Sequence, residues 1–126
     1  IGSAGGCGGK PHVALTRAII ERIASEKCLR FRLAVIDAEP PRELLLERLR
    51  QGRIHGLWPQ RALDARTLLE SERIVAMMGA EPLQEALRRG ADVILAGRCS
   101  DSAIYAALPL MRGYDAGLAW HLGKTI

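Results

Sequence analysis

Apolar positions recur with two different periods along this chain of 126 residues. Over residues 12–27 they return every three or four positions, with Ile20 and Ile23 on one face and charged side chains on the other. That spacing predicts an amphipathic helix. Residues 31–36 and 92–96 are instead short apolar runs, which predict strands. The second run is continuous, as is typical of a strand buried on both faces.

Turn and cap signals predict more helices between and after these strands. The predicted helices are 43–51, 65–76, 82–89, a helix that begins near Ser102, and 118–124. Gly52 and Gly90 are placed to close two of them, and Asp64 is placed to cap the start of a third. Residues 54–63 are predicted to be irregular.

Alternating strands and helices predict an α/β fold. We expect a Rossmann-like layered fold with a mostly parallel sheet and helices on its faces. The chain begins with a glycine-rich run that is typical of the turn after a strand. We therefore expect the fold to be seen here as a fragment of a larger domain.

Composition and charge argue against several classes of partner. Hydrophobic residues make up 48% and charged residues 25% of the chain, which are ordinary globular values. The net charge of +4 comes from arginines interleaved with acids, and only 4% of residues are aromatic, so we expect no nucleic-acid partner. No apolar run has the length of a membrane span, so we expect no membrane association. Three cysteines without paired spacing predict reduced thiols, a cytoplasmic location and no metal site.

Three loops that follow predicted strands carry the candidate chemistry. In a parallel sheet they emerge at one edge, which is where open α/β sheets bind ligands. The first loop contains Gly5, Gly6, Gly8 and Gly9 directly before a helix, so its N–H groups could hold an anion. The loop is neither GxGxxG nor a P-loop, and a nucleotide-binding domain is therefore our third hypothesis.

The loop after the last strand contains Arg98, Ser100 and Asp101. Arg98 could clamp a carboxylate or phosphate, or it could pair with Asp101 or Asp37 inside the protein. Ser100 could cap the next helix or donate to a ligand. Asp101 could match the dipole of that helix or act as an acid at the site.

His12, Asp37 and the cysteines complete the candidate edge. His12 begins the first helix, where its imidazole could reach an anion held by the glycines. Asp37 and Glu39 could act as an acid/base pair or bind a cation, but their alternation in an extended segment points the two side chains to opposite faces and argues against a metal pair. Asp37 is expected to contact the ligand. Cys7 and Cys99 lie in loops that could lower the pKa of a thiol, and Cys7 with His12 as its base is a nucleophile hypothesis.

Several motifs, in one order along nearly the whole chain, resemble the acyclic terpene utilisation (AtuA) family. The motifs are Ile1-Gly-Ser-Ala-Gly-Gly-x-Gly-Gly with Pro11-His12, Phe31-x-Leu-Ala-Val-Ile36, Met77-Met-Gly-Ala-Glu-Pro82, Gly90-Ala-Asp-Val-Ile-Leu-Ala-Gly-Arg98, Ser100-Asp101, Pro109-x-Met-Arg-Gly113 and Gly117-Leu-Ala-Trp-His121. The resemblance implies that residues 1–126 are an internal segment of a single AtuA-like core domain, truncated at both ends. It also implies a part in the breakdown of citronellol- and geraniol-type terpenoids, a pathway run on CoA thioesters.

The chain departs from the family pattern at four positions. The family usually has a small non-thiol residue where this chain has Cys7 and Cys99, which argues against a nucleophilic cysteine. It commonly has an acid at the position of Lys10, and an acid or amide at the position of Ala14. If those acids matter for activity, this chain is altered there.

We therefore expect an enzyme, or an enzyme component, of acyclic terpenoid or branched acyl catabolism. Its partner is expected to be a small anionic ligand, an acyl-CoA thioester or a free acid, and we also expect an oligomer or a partner subunit. The predicted ligand contacts are Gly5, Gly6, Gly8, Gly9, Arg98 and Asp37, and the predicted catalytic residues are Asp101, Ser100 and His12. The alternative is a non-catalytic ligand-binding or assembly subunit. The sequence specifies no cofactor.

Overall fold

A small parallel sheet forms the centre of the fold. The computed structural model describes residues 2–57 and 63–126. The strands are β1 (Gly2–Ser3), β2 (Leu33–Ile36) and β3 (Val93–Ala96). β3 lies between the other two, so that Leu95 is opposite Gly2 of β1 and Val35 of β2. Parallel strands alternating with helices confirm the predicted α/β class, while the finer Rossmann-like assignment stays a prediction.

The described residues form six helices around this sheet. They are α1 (Lys10–Glu26), α2 (Arg42–Arg50), α3 (Ala65–Glu70), α4 (Glu81–Arg88), α5 (Asp101–Met111) and α6 (Ala116–Thr125). Apart from α3, each confirms a predicted helix to within two residues. Residues 54–57 are irregular as predicted, and residues 58–62 of that segment lie outside the described residues. No described helix combines the length and the apolar character of a membrane span.

The helix predicted over 65–76 is wrong beyond Glu70, and Arg42 of α2 is the reason. Its guanidinium donates hydrogen bonds to four carbonyl groups at the end of α3, those of Leu68, Leu69, Ser71 and Glu72. Carbonyls that would accept the next helical N–H groups are thus bound by a side chain, and Ser71 takes an extended conformation. Leu69, near the end of α3, is 58% exposed.

Side chains alternate along β3, so the two faces of the sheet pack against different helices. Ile94 shares one core cluster with Leu83 of α4 and with residues of α5. Leu95 shares a second cluster with Ala4 and with Val13 of α1. Helices therefore cover both faces, and the prediction of a strand buried on both sides is confirmed.

The three loops that follow the strands meet at one edge of the sheet. We call them the glycine loop (residues 4–9), the Asp37 loop (37–41) and the Arg98 loop (97–100), and the place where they meet the strand-carboxyl edge. The Ala4 N–H donates to the Ala96 carbonyl at 2.7 Å, and the Gly97 N–H donates to the Ile36 carbonyl at 2.8 Å. The predicted convergence of the loops is therefore confirmed.

Candidate functional site

Gly8 joins the glycine loop to the Arg98 loop. Its φ is +73°, and a Cβ atom there would lie 2.4 Å from the Gly97 carbonyl carbon and 2.5 Å from the Arg98 nitrogen. Gly97 in turn leaves no room for a Cβ, which would lie 2.7 Å from the Cβ of Ala38 in the Asp37 loop. Only glycine permits this backbone-to-backbone approach, so packing by itself requires a glycine at position 8.

The start of α1 is occupied by a carboxylate of the protein itself. The Lys10 N–H donates to Glu39 Oε1 at 2.6 Å, and Arg73 Nη1 lies 3.2 Å from the same oxygen. The backbone hydrogen bond from Lys10 holds the pKa of Glu39 below its usual range, since together with Arg73 it outweighs the opposing effect of burial. A Cβ at Gly9 would lie 2.7 Å from Glu39 Oε1, so this glycine makes room for the carboxylate.

Gly5 and Gly6 form the exposed lip of the glycine loop. Gly5 has a φ of +51°, and a Cβ there would touch the His12 side chain at 3.4 Å. The Nδ1 atom of His12 lies 3.4 Å from Cys7 Sγ, so the imidazole and an exposed thiol stand side by side at the lip. Within the described part of the chain, the N–H groups of Gly5 and Gly6 donate no hydrogen bond.

Arg98 is partly buried, and its guanidinium has no polar partner among the described residues. The described residues include three partly buried arginines. Two of them, Arg42 and Arg48, donate hydrogen bonds, whereas the Arg98 guanidinium forms no hydrogen bond or ion pair with any described residue. Asp37 and Asp101 are both described, and the structure pairs neither of them with Arg98.

Three other candidate residues lie near Arg98. Ser100 and Asp101 follow it in the chain, and Asp37 belongs to the Asp37 loop at the same edge. Ser100 occupies the cap position of α5, but its side chain makes no capping hydrogen bond. Asp101 is exposed in the first turn of that helix, where a carboxylate is favoured by the helix dipole. Asp37 is exposed and lines a cleft of about 230 Å³ beside Met78. The Ser100 hydroxyl and the two carboxylates therefore stay accessible.

Cys99 does not belong to the accessible edge. Its side chain is fully buried in the core cluster of α4 and α5, and burial raises the pKa of its thiol. The prediction that this loop could lower the pKa of the Cys99 thiol is therefore wrong, because the side chain points into the core and away from solvent. Only Cys7 of the two candidate thiols is exposed.

Two contacts at the site were not foreseen from sequence. They are the pairing of Arg73 with Glu39 and the position of Glu39 at the start of α1. The two residues are 34 positions apart, and Glu39 is 29 positions from Lys10. Neither spacing belongs to a local motif, so no sequence signal for these contacts existed.

Larger clefts lie away from the three loops. One of about 440 Å³ runs between β2 and α4, and another of about 340 Å³ lies between α5 and α6. Neither is lined by Arg98 or by a residue of the glycine loop. In residues 2–57 and 63–126, no group of three or more His, Cys, Asp or Glu side chains could hold a metal ion.

The family of the chain follows from a match that covers all three loops. Residues 4–115 match the family model described as acyclic terpene utilisation family protein AtuA. The matched stretch begins in the glycine loop and includes the Asp37 loop, the Arg98 loop and α5. Searches of curated proteins and of solved structures found no match. Because the matched residues are most of the chain, the chain belongs to the acyclic terpene utilisation (AtuA) family.

Proposed function

We propose that the strand-carboxyl edge binds the acid or thioester end of an anionic ligand in acyclic terpenoid or branched acyl catabolism. Family membership suggests a role in acyclic terpene utilisation. The observation that carries the proposal is Arg98, a partly buried residue whose guanidinium forms no hydrogen bond or ion pair with a described residue. An arginine at the edge that has no protein partner among the described residues is available to a ligand, and its planar fork matches a carboxylate or a phosphate.

Each accessible group at the edge has a role in this proposal. Arg98 would clamp the anion, and the free N–H groups of Gly5 and Gly6 would donate to it. The Ser100 hydroxyl would donate to the reacting end of the ligand. Gly8 and Gly9 would act by shaping the loop, since both are buried and packed against backbone or against Glu39.

Proton transfer would fall to Asp101 and His12. Asp101 is exposed and His12 is partly exposed. A carboxylate and an imidazole are groups that often serve as acid and base. Asp37, on its cleft, would contact the ligand from the opposite side of the Arg98 loop. We propose an enzyme or enzyme component, and turnover is the measurement that separates it from a binding subunit.

The test of the clamp is Arg98→Lys in the intact protein. Titration calorimetry with an acyclic terpenoid carboxylic acid and with its CoA thioester should show affinity weakened by roughly 1–3 kcal/mol, because lysine lacks the planar fork. The thermal melting temperature should barely change, since the guanidinium forms no hydrogen bond or ion pair with the described residues.

Arg50→Lys is the matched control, because Arg50 is exposed at the end of α2, away from the three loops. Unchanged affinity together with a lower melting temperature in Arg98→Lys would assign Arg98 a structural role and overturn the proposal. An intact protein that binds the thioester but leaves it unconverted would identify a ligand-binding subunit.

A further inference from the structure

Glu39 fills the position that a glycine-rich loop and a helix start would offer to a phosphate. Its carboxylate takes the Lys10 N–H, and its side chain is only 15% exposed. The contact is specific, because Arg73 holds the same oxygen from the other side and Gly9 has no Cβ that could push the carboxylate away. The chain therefore supplies its own anion to the start of α1.

No helical N–H group remains for a second anion at this place. Pro11 has no N–H, and the N–H groups of His12 and Val13 both donate to the Gly9 carbonyl, at 2.9 and 3.1 Å. A phosphate brought to the start of α1 would meet the negative charge of Glu39 in a partly desolvated setting, where like charges repel strongly. Arg98 lies in a different loop, and its charge is not paired with any residue that the structure describes.

We propose that Glu39 is a specificity-determining residue that excludes phosphate from the glycine loop and leaves Arg98 as the cation for the ligand. This rests on the proposed function, because it concerns how the same edge selects its anion. It also separates this glycine loop from nucleotide-binding loops, in which the first N–H groups of the helix stay free for a phosphate. The ligand class that fits is an acid or thioester whose anionic end is bound by Arg98.

The test is phosphate binding to Glu39 variants of the intact protein. Glu39→Gln removes the charge and keeps an oxygen that can accept the Lys10 hydrogen bond, so it is the variant that preserves the fold. Glu39→Ala removes both the charge and the oxygen that accepts the Lys10 hydrogen bond. Titration with inorganic phosphate at low ionic strength should give an apparent Kd at least roughly tenfold lower in Glu39→Ala than in the wild type, because the like charge is gone and the Lys10 N–H is released. Glu39→Gln, which removes only the charge, should lower the apparent Kd by a smaller factor. Amide NMR shifts caused by phosphate should fall on residues 5–10.

Glu85→Ala is the matched control. Glu85 is also a carboxylate held by arginines, Arg88 and Arg89, and its removal changes the net charge equally, but it lies on α4. It should leave phosphate binding at the wild-type level. Equal phosphate affinity in wild type and folded Glu39 variants, or NMR shifts elsewhere than residues 5–10, would overturn the specificity role.

The outcomes separate this inference from the proposed function. If phosphate binding is not gained but Arg98→Lys still weakens binding of the terpenoid acid, Glu39 is only a structural cap and the ligand site stands. If Glu39→Gln fails to fold, its charge serves folding and the specificity role is likewise overturned. If phosphate binding is gained but Arg98→Lys has no effect on the acid, the exclusion by Glu39 holds and the proposed clamp falls.

Discussion

The two cysteines nearest the strand-carboxyl edge differ in burial and therefore in chemistry. Cys7 is exposed, with its sulfur 3.4 Å from His12 Nδ1, which is an arrangement in which an imidazole can deprotonate a thiol. Cys99 is fully buried, and burial raises the pKa of its thiol. A nucleophilic role is thus open to Cys7 alone of the two, although the family usually has a small non-thiol residue at that position.

We expect Cys7→Ala to keep most of any activity of the intact protein, because the family pattern has a small non-thiol residue at this position. The measurement is kcat/KM with the terpenoid acyl-CoA, beside thiol labelling followed by mass spectrometry. Labelling should modify Cys7 in the native protein and Cys99 only after unfolding, which serves as the control for exposure. A loss near a thousandfold, about 4 kcal/mol of transition-state stabilisation, would instead make Cys7 the nucleophile.

Among the elements, α3 depends most clearly on a partner. It spans only Ala65–Glu70, a length that is not helical by itself in water. Asp64 caps its first turn by accepting the Thr67 N–H at 2.7 Å, and Arg42 binds the carbonyls at its other end. The guanidinium therefore both stabilises this short helix and ties it to α2.

Replacing Arg42 by methionine should lower the free energy of unfolding by about 2–3 kcal/mol, because several carbonyls lose a charged donor. Urea unfolding of the intact protein measures the change. Arg66→Met is the matched control within α3, since its exposed pair with Glu70 should contribute less than about 0.5 kcal/mol. Equal effects of the two substitutions would show that Arg42 is an ordinary surface arginine.

For the molecule as a whole, the meeting of three loops at one sheet edge decides where ligand chemistry can occur. Parallel pairing brings the strand ends together, but the loops reach contact only because Gly8 and Gly97 have no side chain that would hold them apart. Gly8 against Gly97 and Gly97 against Ala38 are the two close approaches. The position of Arg98 thus depends on glycines that need not touch a ligand.

Gly8→Ala should destabilise the intact protein by more than about 2 kcal/mol, since a left-handed φ is costly for alanine and the new methyl group would strike the Gly97 backbone. Gly6→Ala is the matched control in the same loop, because a Cβ there meets nothing within 4 Å. It should change stability by less than about 0.5 kcal/mol. Thermal and urea unfolding measure both, and a tolerated Gly8→Ala would contradict the close approach of the loops.

Features that arise from neighbouring residues were predictable from the amino-acid sequence. The apolar period over residues 12–27 predicted α1, and the apolar run at 92–96 predicted β3, because a helix or strand face is set by residues a few positions apart. The helix cap at Asp64 was predictable for the same reason, because the N–H group that it accepts from belongs to Thr67, three residues later. The order of these elements then predicted a parallel sheet and the meeting of the three loops at one edge.

Features that join residues far apart in the chain became visible only in the folded protein. Arg42 ends α3 from 26 positions away in the chain, and Glu39 reaches the start of α1 from 29 positions away. Whether Cys99 faced solvent or core depended on how α4 and α5 pack on the sheet. No local pattern encodes such contacts, because their free energy exists only once the chain has folded and brought the partners together.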